Sequence, residues 1–481
     1  MVKIMADHDE RIVTADICVI GAGSGGLTVA AGAAQMGAST VLIEQDRMGG
    51  DCLNAGCVPS KAMLAAAQAV FAAKLGHSLG VTASPPGDWA GVHRYVHDVI
   101  AELAPNDSVA RFEGLGVRVI AGTARFSARD EVAVGDRRVR ARRFVIATGS
   151  SAIVPEIPGI ETVPYLTNRT VFDNLDRPTH LIVLGGGAIG LELAQAHVRL
   201  GCRVTVLETR SILAHEDPEL IDVLRRRLLG EGIVIHEQVQ VRSASGRAGE
   251  VTLATDIGGL VHQITGSHLL IAAGRRANTA GLGLSEAGID STPRGIAVDG
   301  RLRTSNKRVF AIGDVAGGLQ FTHLANYHAG IVLRNALFRL PAKADHSAVP
   351  RVLFTAPELA SVGLTEAQVE ERHGKIQILR WPFSENDRAR TDGDSGGMIK
   401  VLATTGGRVL GVGIIGRSAG ELILPWIFAV QGKLSLRDMA GVIAPYPTLS
   451  EASKRVAGSF YSAKLFNPWT RRLVRFLSWF G

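Results

Sequence analysis

The chain has 481 residues, 46% of them hydrophobic and 56 of them glycine, which sets it among large α/β proteins of about three domains and apart from disordered or fibrous chains. Its net charge of +7 is a small excess of 52 basic over 45 acidic residues with no long basic run in the folded part, so nucleic-acid binding is not expected. Four cysteines, Cys18, Cys52, Cys57 and Cys202, are too few for a secreted disulfide framework. Residues 1–14 are charged and lack the apolar core of a signal peptide, and no run approaches the roughly 18 apolar residues of a membrane span, so the body of the protein is expected in the cytoplasm.

Ala15 to Ile20 reads as a buried strand that runs straight into Gly21-Ala22-Gly23-Ser24-Gly25-Gly26 and then an Ala-rich helix. Gly21, Gly23 and Gly26 suit the tight turn that brings a pyrophosphate close to a helix N-terminus, whose free N–H groups and dipole favour the anion. A second strand, Ser39 to Ile43, ends at Glu44, placed to accept hydrogen bonds from a ribose 2′-OH. Cys18 inside the first strand reads as a small core residue.

Next comes Gly49-Gly50-Asp51-Cys52-Leu53-Asn54-Ala55-Gly56-Cys57-Val58-Pro59-Ser60-Lys61. Two Cys bridge only when their Cα atoms come within about 7 Å, and a regular helix holds i and i+5 farther apart, so the backbone is expected to bend, with Gly49, Gly50, Gly56 and Pro59 permitting it. The pair reads as a redox-active disulfide. Lys61, one helical turn after Cys57, favours a thiolate there and makes Cys57 the more activated sulfur. The alternative is a pair of buried or zinc-binding cysteines, although zinc wants four ligands and no second pair exists; no resident metal site is read from the sequence.

A buried strand from Phe144 closes on Ala147-Thr148-Gly149-Ser150, and Val154 to Gly159 reads as a stiff crossover. The dinucleotide unit then returns: Leu181 to Leu184 leads into Gly185, Gly187 and Gly190, a helix follows, and Arg203 to Leu207 ends at Glu208. Gly21 to Glu44 and Gly185 to Glu208 span the same number of positions, so the chain carries two dinucleotide sites of one design. Leu269 to Asn278 closes this unit, with Gly274 at the strand end, and Val309 to Val315 repeats the pattern with Gly313 and Asp314. Beyond Pro350, alternating strands and a helical stretch from Ala419 to Gln431 suggest a third, α+β domain.

These motifs resemble the pyridine nucleotide-disulfide oxidoreductases, the flavoprotein family of dihydrolipoamide dehydrogenase, glutathione reductase and mercuric reductase. The resemblance runs from about Ala15 to Gly458. Its most specific part is the cysteine segment, supported by Ala147-Thr148-Gly149, Gly274-Arg275 with Asn278, Gly313-Asp314, and Phe354-Thr355-Ala356-Pro357-Glu358 with Val362-Gly363. It implies an α/β fold of two Rossmann-like dinucleotide-binding domains plus a C-terminal α+β dimerisation domain. Residues 1–152 and 277–347 would bind FAD, 153–276 NAD(P)H, 348–464 would form a homodimer, and 465–481 is a basic aromatic tail.

By position matching, Gly21, Gly23, Gly26, Glu44, Gly50, Lys61, Thr148, Gly149, Gly313 and Asp314 would hold FAD, and Gly185, Gly187, Gly190, Glu208 and Gly274 the nicotinamide cofactor. Cys57 matches the flavin-contacting thiolate, Cys52 the interchange thiol, and Lys61 and Glu192 an ion pair beside the flavin ring. Glu208 would repel a 2′-phosphate, so NADH is expected, with Arg210 keeping NADPH open. One departure stands out: the family's His-Pro-Thr, supplied across the dimer and oriented by a Glu, is here Tyr446-Pro447-Thr448 with Glu451 retained. A phenol is a poor base at pH 7 beside an imidazole, so exchange with lipoamide or glutathione should suffer. Mercuric reductase resembles the chain in having a tyrosine there, but its C-terminal cysteine pair is absent.

From Trp469, apolar residues at 469, 473, 476, 477 and 480 fall at helical spacing with Arg471, Arg472 and Arg475 between them. Such a segment suits either a membrane interface, making the protein membrane-peripheral, or packing on the dimer. Two functions therefore compete: an NAD(P)H-dependent flavoenzyme reducing a disulfide, quinone or metal acceptor, and a membrane-peripheral FAD-bearing redox sensor or adaptor.

Overall fold

The computed structural model describes residues 11–76, 80 and 88–480; the charged stretch 1–10, expected to be no leader, and the last residue of the tail, Gly481, lie outside the described residues. Ile12–Ile20 is the central strand of the first sheet, with Thr40–Glu44 parallel on one side and Arg137–Ile146 parallel on the other. Ile17 to Ile20 are buried, as a strand covered on both faces requires. Val117–Ala121 extends the sheet beyond Thr40–Glu44. On the far side Val309–Ala311 pairs parallel with Phe144, Val145 and Ile146, so the chain returns to its first sheet after a long excursion. The start of Arg137–Ile146 instead carries an antiparallel meander, Ala124–Ala128 and Glu131–Val134.

That excursion is itself a parallel sheet in the order Val234–His236, Arg203–Leu207, His180–Leu184, His268–Ile271, with an antiparallel meander from Gln240 to Gly266. The C-terminal sheet is antiparallel, in the order Arg351–Leu353, Glu358–Gly363, Val409–Gly416, Met398–Thr404, Ile376–Pro382. The expected helical stretch there is two helices, Ala419–Leu422 and Leu424–Gln431. Pro425, which lacks an N–H, sits in the first turn of the second, where no partner is needed.

The helix Cys57–Leu75 packs between Trp89–Leu103 and Ala188–Arg199. One apolar core joins its Ala62, Met63 and Ala67 to Leu191 and Ala194 of the second unit and to Leu353, Leu359 and Ile415 of the C-terminal sheet. All three parts of the chain therefore meet around the cysteine-bearing helix. Contrary to the expectation of no such run, Gly50–Lys74 is long and apolar enough to cross a membrane, with a mean hydropathy of 1.2 over 18 residues. Of that window 33% is buried, and the cysteine bend divides the stretch into two helices, Gly50–Asn54 and Cys57–Leu75.

Candidate active site

Gly49 and Gly50 take φ of 85° and 58°, which turns the chain into a short helix, Gly50–Asn54. Ala55 and Gly56 break it, and Cys57 opens a new helix of 19 residues. Pro59 lies in the first turn of that helix, where its missing N–H costs nothing, and takes no part in the bend. The bend brings Cys52 and Cys57, the pair read as a redox-active disulfide, within hydrogen-bond reach of each other.

Cys57 is drawn down to about 6, chiefly by the hydrogen bond from Cys52, then by the Thr322 hydroxyl and the charge of Lys61. Its sulfur keeps an exposed face, yet enough protein surrounds it for desolvation, together with Asp51, to work against the thiolate. The same shared hydrogen bond, with burial, pushes Cys52 upward, so one proton stays on Cys52 and the negative charge on Cys57. Thr322 Oγ1 lies 3.3 Å from Cys57 Sγ. Cys57 begins one helix and Thr322 begins another, Thr322–Ala336, so two positive helix ends stand beside this sulfur. Lys61, expected as the activating group, is therefore one contributor behind Cys52 and Thr322. Nothing in the sequence points to Thr322, which is 265 positions away.

Lys61 Nζ reaches Glu192 Oε2 at 2.8 Å and stands 4.4 Å over the Phe354 ring. Glu192 is buried, and its other oxygen accepts from Phe354 N at 2.9 Å. Lys61 comes from the first unit, Glu192 from the second and Phe354 from the C-terminal domain, so this ion pair is a three-way junction. A second junction surrounds Asp51: Arg275 Nη2 lies 3.0 Å from Asp51 Oδ2, and Asn168 Nδ2 donates to Oδ1 at 3.0 Å. Arg275 Nε also donates to Ser150 Oγ at 2.8 Å, and Ser150 donates to Asp314 Oδ2 at 2.5 Å. Burial pushes the Asp314 carboxyl upward against that hydrogen bond. Asn278 ties Thr148 and Gly149 in place: Nδ2 donates to Thr148 O at 2.9 Å and its backbone N–H to Gly149 O at 2.9 Å.

The two glycine loops share one construction. A Cβ on Gly26 would stand 1.9 Å from Gly21 O, and one on Gly190 would stand 2.0 Å from Gly185 O, so each third glycine is closed against its loop. At Gly23 and Gly187 a Cβ would meet no atom within 4 Å. The helices that follow, Ser24–Gln35 and Ala188–Arg199, have no side-chain cap on their first N–H groups. Open space above uncapped helix N-termini fits a dinucleotide pyrophosphate at both loops.

Glu44, expected to face a ribose, accepts from Ala22 N at 2.6 Å and Asp46 N at 2.8 Å. Glu208 accepts from Gly186 N at 2.7 Å and Arg210 N at 2.9 Å. Each carboxylate thus ties its glycine loop to the end of the next strand, and its unused lone pairs leave room for ribose hydroxyls. Gly50 packs on the first loop, where a Cβ would be 2.7 Å from Gly23 Cα, and Ser24 lies within hydrogen-bond reach of Cys52. The cysteine pair therefore borders the first loop. Gly274, with φ 117°, carries the carbonyl that accepts from Ile153 N, and Gly313 donates its N–H to His328 Nδ1 at 3.2 Å.

Tyr446 is 68% exposed, and its hydroxyl donates to Asp387 Oδ2 at 2.8 Å. That hydrogen bond raises the phenol's pKa above its ordinary value. Glu451 is occupied with Arg455 at 2.7 Å, so Asp387 is the carboxylate that holds Tyr446 in this chain. Cys18 and Cys202 are buried, and burial pushes both thiols upward, to about 11 for Cys202.

A family model described as pyridine nucleotide-disulphide oxidoreductase matches residues 15–329, and that family's dimerisation domain matches 349–457. A mercuric reductase of Streptomyces lividans is 37% identical over 457 residues, covering 93% of this chain and 96% of that protein. A dihydrolipoyl dehydrogenase of Bacillus subtilis is 34% identical over 455 residues, covering 92% and 96%. Among solved structures, the HOCl-induced flavoprotein disulfide reductase RclA from Escherichia coli superposes with a TM-score of 0.83 at 29% identity, covering 92% of this chain and 99% of that one.

Proposed function

The chain belongs to the pyridine nucleotide-disulphide oxidoreductases, FAD-containing enzymes that draw on NAD(P)H, and from that premise we propose that it reduces an acceptor requiring no imidazole base, a soft metal ion or a quinone ahead of a dithiol-linked disulfide. Bound FAD supplies a two-electron relay between a nicotinamide and the cysteine pair. Gly21, Gly23, Gly26, Glu44, Gly50, Thr148, Gly149, Gly313 and Asp314 would hold it, with Lys61 and Glu192 beside its ring. Gly185, Gly187, Gly190, Glu208 and Gly274 would hold NADH. The sensor or adaptor reading has no support among relatives that are enzymes.

Two electrons and a proton convert the Cys52–Cys57 bond into a Cys57 thiolate and a Cys52 thiol. Attack on an incoming disulfide then requires Cys52 to lose its proton to a base. In the proposed homodimer the tyrosine of one subunit would stand where relatives supply the imidazole to the other. Tyr446, with its pKa raised by Asp387, does not accept that proton at neutral pH, and this observation carries the choice of acceptor. A soft cation binds the Cys57 thiolate directly and displaces the Cys52 proton to solvent.

Steady-state NADH oxidation by the FAD-loaded dimer with lipoamide, glutathione disulfide, a naphthoquinone, Hg(II) and Cu(II) tests the reading. Faster turnover on a metal ion or the quinone is expected. Lipoamide turnover equal to either would overturn the choice of acceptor and leave the family assignment standing.

A further inference from the structure

We propose that the segment from Leu465 to Phe480 is a docking element for an anionic lipid surface. Asn467 caps a helix, Pro468–Leu477, by accepting from Thr470 N, and none of the helix's residues is buried. It follows Glu451–Leu465, whose Ala452, Val456 and Ala457 are locked in the C-terminal core, so a rigid element presents it. At 100° per residue Trp469, Leu473 and Phe476 share one face with Phe480 just beyond the helix end, while Arg471, Arg472 and Arg475 occupy an adjoining arc. Trp469 is 77% exposed and Trp479 83%, values at which a folded chain ordinarily finds a partner for an indole. Phe476 and Phe480 pack edge to face, and the Arg472 guanidinium stands 5.7 Å over the Trp469 ring, so the apolar and cationic faces meet at a tryptophan.

Charge selects the occupant. No acidic side chain stands among residues 452–481, so no side chain in that stretch offsets the three arginines. Aromatic rings at an acyl boundary with flanking arginines on phosphates match a bilayer interface, and ten helical residues are too few to cross one. An apolar partner protein would leave the arginine arc unpaired. A dimer carries two such tails, and attachment through both would tighten binding without a new contact.

The test is co-sedimentation of the full-length, FAD-loaded protein with phosphatidylcholine vesicles and with vesicles containing phosphatidylglycerol. The wild type is expected to pellet preferentially with the anionic vesicles. The R471Q/R472Q/R475Q variant should lose binding by about fivefold per arginine, on the order of 100-fold in all, and W469S/F476S/F480S should lose it on both vesicle types. Neither set touches the cysteine or glycine sites, so both variants should keep flavin reduction by NADH. Wild type left in the supernatant with anionic vesicles, or an arginine variant that pellets as well as wild type, would overturn the proposal. So would an aromatic variant whose mass by light scattering falls to a monomer, which would assign the helix to a second copy of the chain.

Discussion

Replacing Thr322 by valine isolates the contact that the sequence least announces. In the fold Cys57 sits at about 6, against an ordinary thiol value of 9.0, so its thiolate is present above pH 6 and is lost as pH falls through that value. A hydrogen bond to a charged group contributes about 1.5–3 kcal/mol, and 1.36 kcal/mol is one pKa unit. The sulfur's exposed face places the Thr322 contact at the low end, about one unit. T322V should therefore raise the midpoint by about one unit, and at the wild-type midpoint the thiolate should fall from one half to about one tenth, roughly fivefold. The assay is a pH titration of the long-wavelength absorbance that a thiolate beside an oxidised flavin produces in the two-electron-reduced holoenzyme. C57S should abolish that band and C52S preserve it. An unchanged midpoint in T322V would refute Thr322 as a donor; a band that survives C57S would refute the assignment of the charge to Cys57.

The glycine loops make a paired prediction: G26A forces a Cβ to 1.9 Å from Gly21 O and should purify without flavin, whereas G190A, at 2.0 Å from Gly185 O, should keep its flavin and lose rapid reduction by NADH. Flavin absorbance and stopped-flow reduction read both, and a flavin-free G190A would reverse the assignment of the loops. The kcat/KM ratio should favour NADH over NADPH, and E208A should shrink it; a wild-type preference for NADPH would mean that Arg210 prevails. Y446H should raise lipoamide turnover, by as much as the 100- to 10,000-fold that general acid–base catalysis supplies, because Asp387 already stands where it can orient a ring. No gain would locate the discrimination in the shape of the pocket instead.

Local signals carried most of the site. In both units the glycine loop, helix and acid lie within 24 residues directly after a strand, and the cysteine bend is written in neighbouring glycines, so hydrophobic patterning and backbone freedom reveal them together. Pro59 lies in a helix's first turn and not in the bend, because proline suits both positions equally well. The apolar character of Gly50–Lys74 does not show as an unbroken run because glycines and polar residues interrupt it, while its mean over a wide window is high. Thr322, Asp387 and the Arg275–Asp51 pair were out of reach for another reason: each acts across a long stretch of chain, and no periodicity records which distant side chain a fold will bring to a sulfur or a phenol. Lys61 and Glu192, 131 positions apart, are legible as a pair only through the family resemblance.

The return of Val309–Ala311 to Phe144–Ile146 sets a timetable for synthesis. On the ribosome the first sheet shows an unpaired edge at Phe144–Ile146 until the chain has grown past residue 311, while the inserted sheet, from His180 to Ile271, has all its strands in one stretch and can close first. An open hydrophobic edge invites pairing with another nascent chain. Released fragments ending at residue 300 should accordingly be cut by protease within 12–146 and protected within 180–271, and fragments ending at residue 347 should be protected in both. Protection of 12–146 in the shorter chains would show that the sheet closes without its last strand.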